Sequence, residues 1–208
     1  MSILTIILFA LILLMIFVFW YQSTLKSQIV SSAYLVKNMV PITFSTISNY
    51  NSSQYFYEIW VYALEAGNIF SVDGVLSLDL KTDHSMKVSV VSNGSTSKTE
   101  YNVSSAFPLQ KWQCIQISVN SQLLDIYLNG KLVTSVAVNN GVAIPNKTAK
   151  INFGKEKIYI AGFNYVANAL DTETAWKRYL IGNTFNSPIH LSFDFKRDDE
   201  VQARGVLL

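Results

Sequence analysis

The sequence predicts an all-β sandwich or barrel carried behind one N-terminal transmembrane helix. Three observations predict it. The chain starts with an uncharged apolar run. Short β-branched and aromatic segments then alternate with turn residues, and one late segment carries helix-capping signals.

Ile3 to Trp20 is an 18-residue stretch without a charge, interrupted only by Thr5. At about 1.5 Å per residue it makes a helix about 27 Å long, close to the roughly 30 Å of a hydrocarbon core. It has no polar face to leave among headgroups, so it is expected to span rather than lie flat. Ile3, Phe9, Leu14, Phe19 and Trp20 are its anchor residues, with Trp20 and Tyr21 placed as an interfacial aromatic belt. A cleavable signal peptide needs a basic start and a small-residue cleavage site, and neither is evident. The division is then an anchor over residues 1–22, a stalk over 23–40 that could briefly extend the helix until Pro41 forbids it, and a folded domain over 41–208.

Lys26 and Lys37 follow the run while no side-chain charge precedes it, which predicts a single-pass protein with its domain on the cytosolic side. The single cysteine, Cys114, agrees, because it has no partner for an intrachain disulfide. Four N-x-S/T sequons, at Asn51, Asn93, Asn102 and Asn146, would become glycan sites if the sidedness were opposite.

The clearest strand is Gln54 to Ala63. Phe56, Glu58, Trp60 and Tyr62 share one face and Tyr55, Tyr57, Ile59 and Val61 the other, so both faces are covered and the strand is central. Further strands are expected at Val75–Leu80, Met86–Val91, Lys98–Val103, Trp112–Val119, Leu123–Leu128, Lys131–Val138, Lys150–Phe153 and Lys157–Val166. Asn129-Gly130 is the strongest hairpin signal in the chain. Asp171 to Leu180 reads as a short helix with a capping Asp, an early Glu, late Lys and Arg, and Gly182 beyond its end. Ile189–Phe195 alternates as a last strand, followed by a solvated charge cluster from Lys196 to Glu200.

Catalytic chemistry is not evident. Retaining glycoside hydrolysis needs two carboxyls about 5 Å apart, and no closely spaced acidic cluster exists. Asp79 and Asp83 flank a turn and read as solvated loop carboxylates. His84 and His190 are too far apart in sequence to suggest a metal site or triad, and Cys114 reads as a buried small hydrophobe. No cofactor or metal is therefore expected, although loops around Asp73 and Asp83 hold oxygens of the type calcium takes. A net charge of +2 with scattered lysines excludes a nucleic-acid stripe. Trp60, Trp112 and Trp176 are expected as packing residues rather than sugar platforms.

Lys111-Trp112-Gln113-Cys114-Ile115-Gln116-Ile117-Ser118-Val119, running on through Leu124-Asp125-Ile126-Tyr127-Leu128-Asn129-Gly130-Lys131, resembles the laminin G-like, concanavalin A-like jelly rolls. There a Trp opens a strand and a Tyr-x-Asn/Asp-Gly-Lys hairpin follows. Ile160-Ala161-Gly162-Phe163-Asn164-Tyr165-Val166, then Ala169-Leu170-Asp171 and the helix to Tyr179, is similar to that family's closing segment. The resemblance covers roughly residues 44–181 and implies a jelly-roll sandwich with one short helix.

With an anchor and a cytosolic domain, the chain is also similar to the laminin G-like membrane proteins of large DNA viruses. That resemblance implies a non-catalytic scaffold whose jelly roll docks onto structural proteins, as a minor capsid component linking an internal virion membrane to the shell. The post-helix extension, with Ile189, Phe195, Val206, Leu207 and Leu208, is the expected partner-binding tail. The alternative is a membrane-anchored carbohydrate-binding or adhesion module.

Overall fold

The computed structural model describes residues 9, 11–17, 28–30, 33–182, 191–197 and 200–207. In chain order the strands are β1 (Gln28–Val30), β2 (Tyr34–Leu35), β3 (Ile42–Thr43), β4 (Gln54–Ala63), β5 (Gly67–Val72), β6 (Leu76–Leu80), β7 (Met86–Val91), β8 (Lys98–Ser104), β9 (Gln113–Asn120), β10 (Leu123–Leu128), β11 (Lys131–Ala137), β12 (Lys150–Phe153) and β13 (Ile158–Val166). Helix α1 (Thr172–Ile181) follows, then β14 (Leu191–Arg197) and β15 (Glu200–Leu207). Sheet A runs β1-β13-β4-β9-β10-β11, with β2 also on β13; sheet B runs β3-β12-β5-β6-β7-β8. The pairings are antiparallel, as expected of a jelly-roll sandwich.

The core lies between the sheets. β4 gives it Tyr55, Tyr57, Ile59 and Val61, which meet Phe70, Leu78 and Val88 from sheet B. Tyr57 is wedged among Phe70, Phe163 and Tyr165 at ring separations of 5.6, 6.3 and 5.4 Å. Burial pushes the Tyr165 phenol up to about 12. In β13 a bulge between Ala161 and Asn164 changes which residues face inward. Ile158 and Ile160 point into the core before it, Phe163 and Tyr165 after it, and Gly162 takes φ +55° to make the insertion.

The outer face of sheet A is not left to water. α1 lies across it, capped as the sequence predicts. Asp171 Oδ1 accepts the Thr174 amide at 2.9 Å, and the Gly182 amide closes the far end on the Tyr179 carbonyl at 3.0 Å. Leu170 and Ala175 pack on Phe56 and Tyr127 in a second apolar cluster. Beneath them Asn164, Glu58 and Gln116 stand in register across β13, β4 and β9. Arg178 donates to both Glu58 oxygens, at 2.8 and 2.9 Å. The Gln116 and Asn164 amides supply two further hydrogen bonds, at 2.9 and 3.0 Å.

Several expectations are corrected. Residues 28–30 and 34–35 are not an extension of a helix or a free stalk. They pair with β13, whose outer edge supplies hydrogen bonds that local propensity alone does not reveal. β5 was not foreseen; it is placed by its pairing with β6 and β12. The C-terminal extension is a hairpin: Phe195 pairs with Ala203, Leu207 with Leu191 and Val206 with Ser192, while Arg197 pairs with Glu200 where a loop was expected. Ile189 and Leu208 lie outside the described residues. Of the anchor, residues 9 and 11–17 are helical, with Phe9 and Leu14 exposed; Ile3, Phe19 and Trp20 lie outside the described residues. Among the described residues no helix is long and apolar enough to cross a membrane.

Two stability outcomes follow from these contacts. The Tyr57 hydroxyl is fully buried with no hydrogen-bond partner among the described residues. Tyr57→Phe should therefore raise unfolding free energy by about 1 kcal/mol in a urea titration, and a clear loss would refute that accounting. Arg178→Met strands a buried carboxylate and should cost about 3 kcal/mol. Adding Glu58→Gln should recover part of the loss, and no recovery would show that the helix is held mainly by its apolar contacts.

Candidate functional site

What the fold leaves exposed falls into three surfaces. The first is the outward side of α1, where Trp176, Leu180 and Ile181 are 41, 63 and 40% exposed around the Glu173–Lys177 ion pair at 2.6 Å. Beneath the ridge Tyr179 stacks on Trp60 at 5.7 Å with 14° between ring planes, and Trp176 lies 5.5 Å from Tyr179. The Asn129-Gly130 turn sets the height of the helix. Both residues have positive φ, and a Cβ at Gly130 would sit 2.9 Å from the Tyr179 Cβ and 3.0 Å from the Trp176 Cα. Asn129 ties the same turn to β9 by accepting the Cys114 amide and donating to Gln113.

The second surface continues the same sheet face along the strands, past the Trp60–Tyr179 stack, at the end of β4, the start of β13 and the entry to β9. Tyr62 contacts Trp112 at 5.6 Å and Tyr159 at 6.3 Å, and Tyr159 pairs with Leu35 of β2. Tyr159 and Leu64 are exposed here, as are Lys37, Lys111, Lys155 and Lys157, whereas Tyr34 pairs with the core residue Ile160 and is exposed at the sheet edge on the other side.

The third surface is the outer face of sheet B, which is polar. Ser71, Ser77, Ser89 and Glu100 stand in register across β5 to β8, with Asn68, Asp79 and Lys87 in the adjacent row. Asp79 accepts from Asn68 Nδ2 and Ser77 Oγ, both at 2.9 Å. Lys87 and Lys81 reach Glu100 at 3.3 and 3.4 Å and hold its carboxyl below the usual range, Lys87 contributing most. A cavity of about 300 Å³ opens beside this network, lined by Ala66, Gly67, Asn68, Asp79, Lys81 and Thr82. No aromatic side chain lines it.

The residues singled out from sequence land as follows. Trp60 is half-buried, on the outer face under Tyr179 rather than between the sheets, and Trp112 packs beside Tyr62. Trp176 lies on the exposed ridge and meets the Gly130 turn rather than the sheet. Asp79 is a strand residue engaged by two donors, which corrects its reading as a solvated loop carboxylate. Asp83 does sit in the turn, where the Ser85 hydroxyl and amide hold its carboxyl below the usual range. Asp73 accepts the Lys150 amide and the Asn152 side chain. Among the described residues no group of His, Cys, Asp and Glu could hold a metal ion. His84 closes the β6–β7 turn and His190 lies outside the described residues. Cys114 is buried, and burial, then the nearby Glu58, pushes its thiol up. Asn51, Asn93 and Asn146 occupy exposed turns and Asn102 an exposed strand position.

The Glu58–Arg178 contact was missed because it joins residues 120 apart. Its one sequence signal was a lone carboxylate on an otherwise aromatic strand face. The exposure of Tyr159 beside Tyr62 was missed because the pairing of β13 with β4 and β2 was not foreseen.

Comparison with known proteins agrees with this geometry. The binding domain of botulinum neurotoxin DC, solved in complex with rat synaptotagmin II, superposes with a TM-score of 0.55 at 16% identity over 68% of this chain and 39% of its own. The same binding domain in complex with SialylT gives 0.56 at 14% identity over 80% of this chain and 48% of its own. A botulinum neurotoxin type C structure, titled for cell entry dependent on two ganglioside molecules, gives 0.50 at 18% identity over 64 and 37%. The chain therefore spans less than half the length of these structures, and at such identity the likeness shows the fold. No curated protein sequence matches the chain significantly. Residues 40–183 match a laminin G family model described as the concanavalin A-like lectin/glucanases superfamily, and the chain belongs to that superfamily.

Proposed function

We propose that this chain is a non-catalytic recognition module, tethered to a membrane by residues 3–20, that docks onto another protein through the ridge of α1. The observation that carries the reading is the exposure of Trp176, Leu180 and Ile181 on a helix already fixed from below by Leu170, Ala175 and Arg178. Their exposed area adds nothing to that packing. Apolar clusters of this kind mark interaction sites, and Trp is prominent among residues that dominate binding energy. The carboxylates argue in the same direction. Glu58, Asp79 and Asp83 are each engaged by donors within the fold rather than paired across a cleft.

The narrower form of the reading is a minor capsid component whose domain faces the shell above an internal virion membrane. It rests on the resemblance to laminin G-like membrane proteins of large DNA viruses.

A second reading, an adhesion or glycan-binding module, is favoured by the polar face of sheet B. Its serine, asparagine and aspartate side chains beside a 300 Å³ cavity suit a hydroxylated ligand. Neighbours in complex with synaptotagmin II or dependent on gangliosides support recognition of protein or glycan in general.

The two readings separate in one experiment on the full-length protein in its membrane or particle. A photo-crosslinking residue in place of Trp176 should form a defined adduct with a coat or scaffold protein, and Leu180→Asp should abolish it. Absence of any adduct, together with glycan-array binding lost in Asp79→Ala, would overturn the docking reading in favour of the second.

A further inference from the structure

We infer that the apolar side of α1 receives the C-terminal hairpin, β14–β15, of a second copy of this chain. The contact rests on the docking role proposed for α1 and makes its partner a copy of the same protein. β14 and β15 pair with each other in a sheet of their own, and among the described residues they form no extensive contact with the sandwich or with α1. Residues directly opposed in an antiparallel ladder share a face. The register therefore sets Leu191, Phe193 and Phe195 with Leu207, Gly205 and Ala203 on one face, and Ser192 and Asp194 with Val206 and Arg204 on the other. A two-stranded hairpin with one apolar face is marginal in water and gains stability by packing on a helix.

α1 has such a side to offer. Trp176 and Leu180, four residues apart, share one stripe of the helix, and Ile181 adjoins it. Leu132 of β11 adds a fourth apolar side chain, 45% exposed. It pairs with Tyr127, which lies beneath α1 in the second apolar cluster, so it stands on the same outer face beside the helix. Area and reach favour a second copy as the source of the hairpin. One hairpin on one helix side is small against the roughly 1,600 Å² of a standard interface. A reciprocal exchange uses both halves twice, because each copy gives one hairpin and receives one, as two-fold symmetry requires. Residues 183–190 join α1 to β14 and span at most about 29 Å when fully extended, enough to cross to a neighbour. That reach would also let the hairpin fold back on its own α1, yet within one chain the two form no extensive contact.

The test uses the full chain with a photo-crosslinking residue in place of Trp176, reconstituted in lipid vesicles as an equal mixture of heavy-isotope-labelled and unlabelled copies. Mass spectrometry of the digest should show residue 176 joined to peptides from 191–207, with mixed-label pairs about as frequent as same-label pairs. Phe193→Asp, which lies outside the sandwich, should cut the mixed-label adduct about tenfold and leave the circular dichroism of the domain unchanged. Leu180→Asp should cut it by a similar factor. Adducts confined to same-label pairs mean that the hairpin closes on its own helix, and overturn the second copy. No adduct in vesicles, with an adduct to a different protein in the native membrane, also overturns the second copy but leaves the docking role of α1 standing. No adduct in either setting overturns both.

Discussion

The bidentate contact between Arg178 and Glu58 decides what the rest of this molecule can display. A carboxylate in the middle of a three-strand row would be costly to bury alone. Here it receives four donors: two from Arg178 and one each from Gln116 and Asn164. Because the row sits in register across β13, β4 and β9, the Arg178 contact holds α1 over the outer face of sheet A. The apolar contacts of Leu170 and Ala175 supply area, but area is not directional. The ion pair and the Gly130 approach fix the helix along its axis, and so fix which side chains form its outer ridge.

This arrangement divides one sheet face into two surfaces. Where α1 lies, the sheet presents a helix with Trp176, Leu180 and Ile181 outward. Beyond the Trp60–Tyr179 stack, the end of β4 and the start of β13 present Tyr62 and Tyr159 with exposed lysines nearby. Sheet B differs in kind, because its outer face is built from serines and asparagines whose short side chains make a hydrogen-bonded polar surface. A chain with three chemically distinct faces can be held by one and still offer the others.

Much of this was legible in the sequence, for reasons that can be named. β4 was found with its bounds because both of its faces are apolar over ten residues, which no other local structure explains. The β10–β11 hairpin was legible because Asn129 and Gly130 must both take positive φ, and α1 because Asp171 and Gly182 mark its ends. β1, β2 and β3 were not legible, since strands of two or three residues are defined by the edge they join and not by their own pattern. Gly162 was read as part of a regular strand. The bulge it makes depends on a partner, β4, that lies a hundred residues earlier. The surfaces were harder still. Trp176 was expected to pack on the sheet; it packs instead against Tyr179 and the Gly130 turn and remains 41% exposed, which only the position of the helix shows.

The edge at which β1 joins sheet A bears on the tether proposed above. β1 enters sheet A beside β13, so a short connection to a membrane would make the β13 side the proximal side. A docking helix is useful to a scaffold only if the surface that holds the molecule does not also cover it. The Glu58–Arg178 pair fixes where α1 sits on the outer face of sheet A, and with it how the exposed side chains of α1 stand relative to the edge that β1 joins.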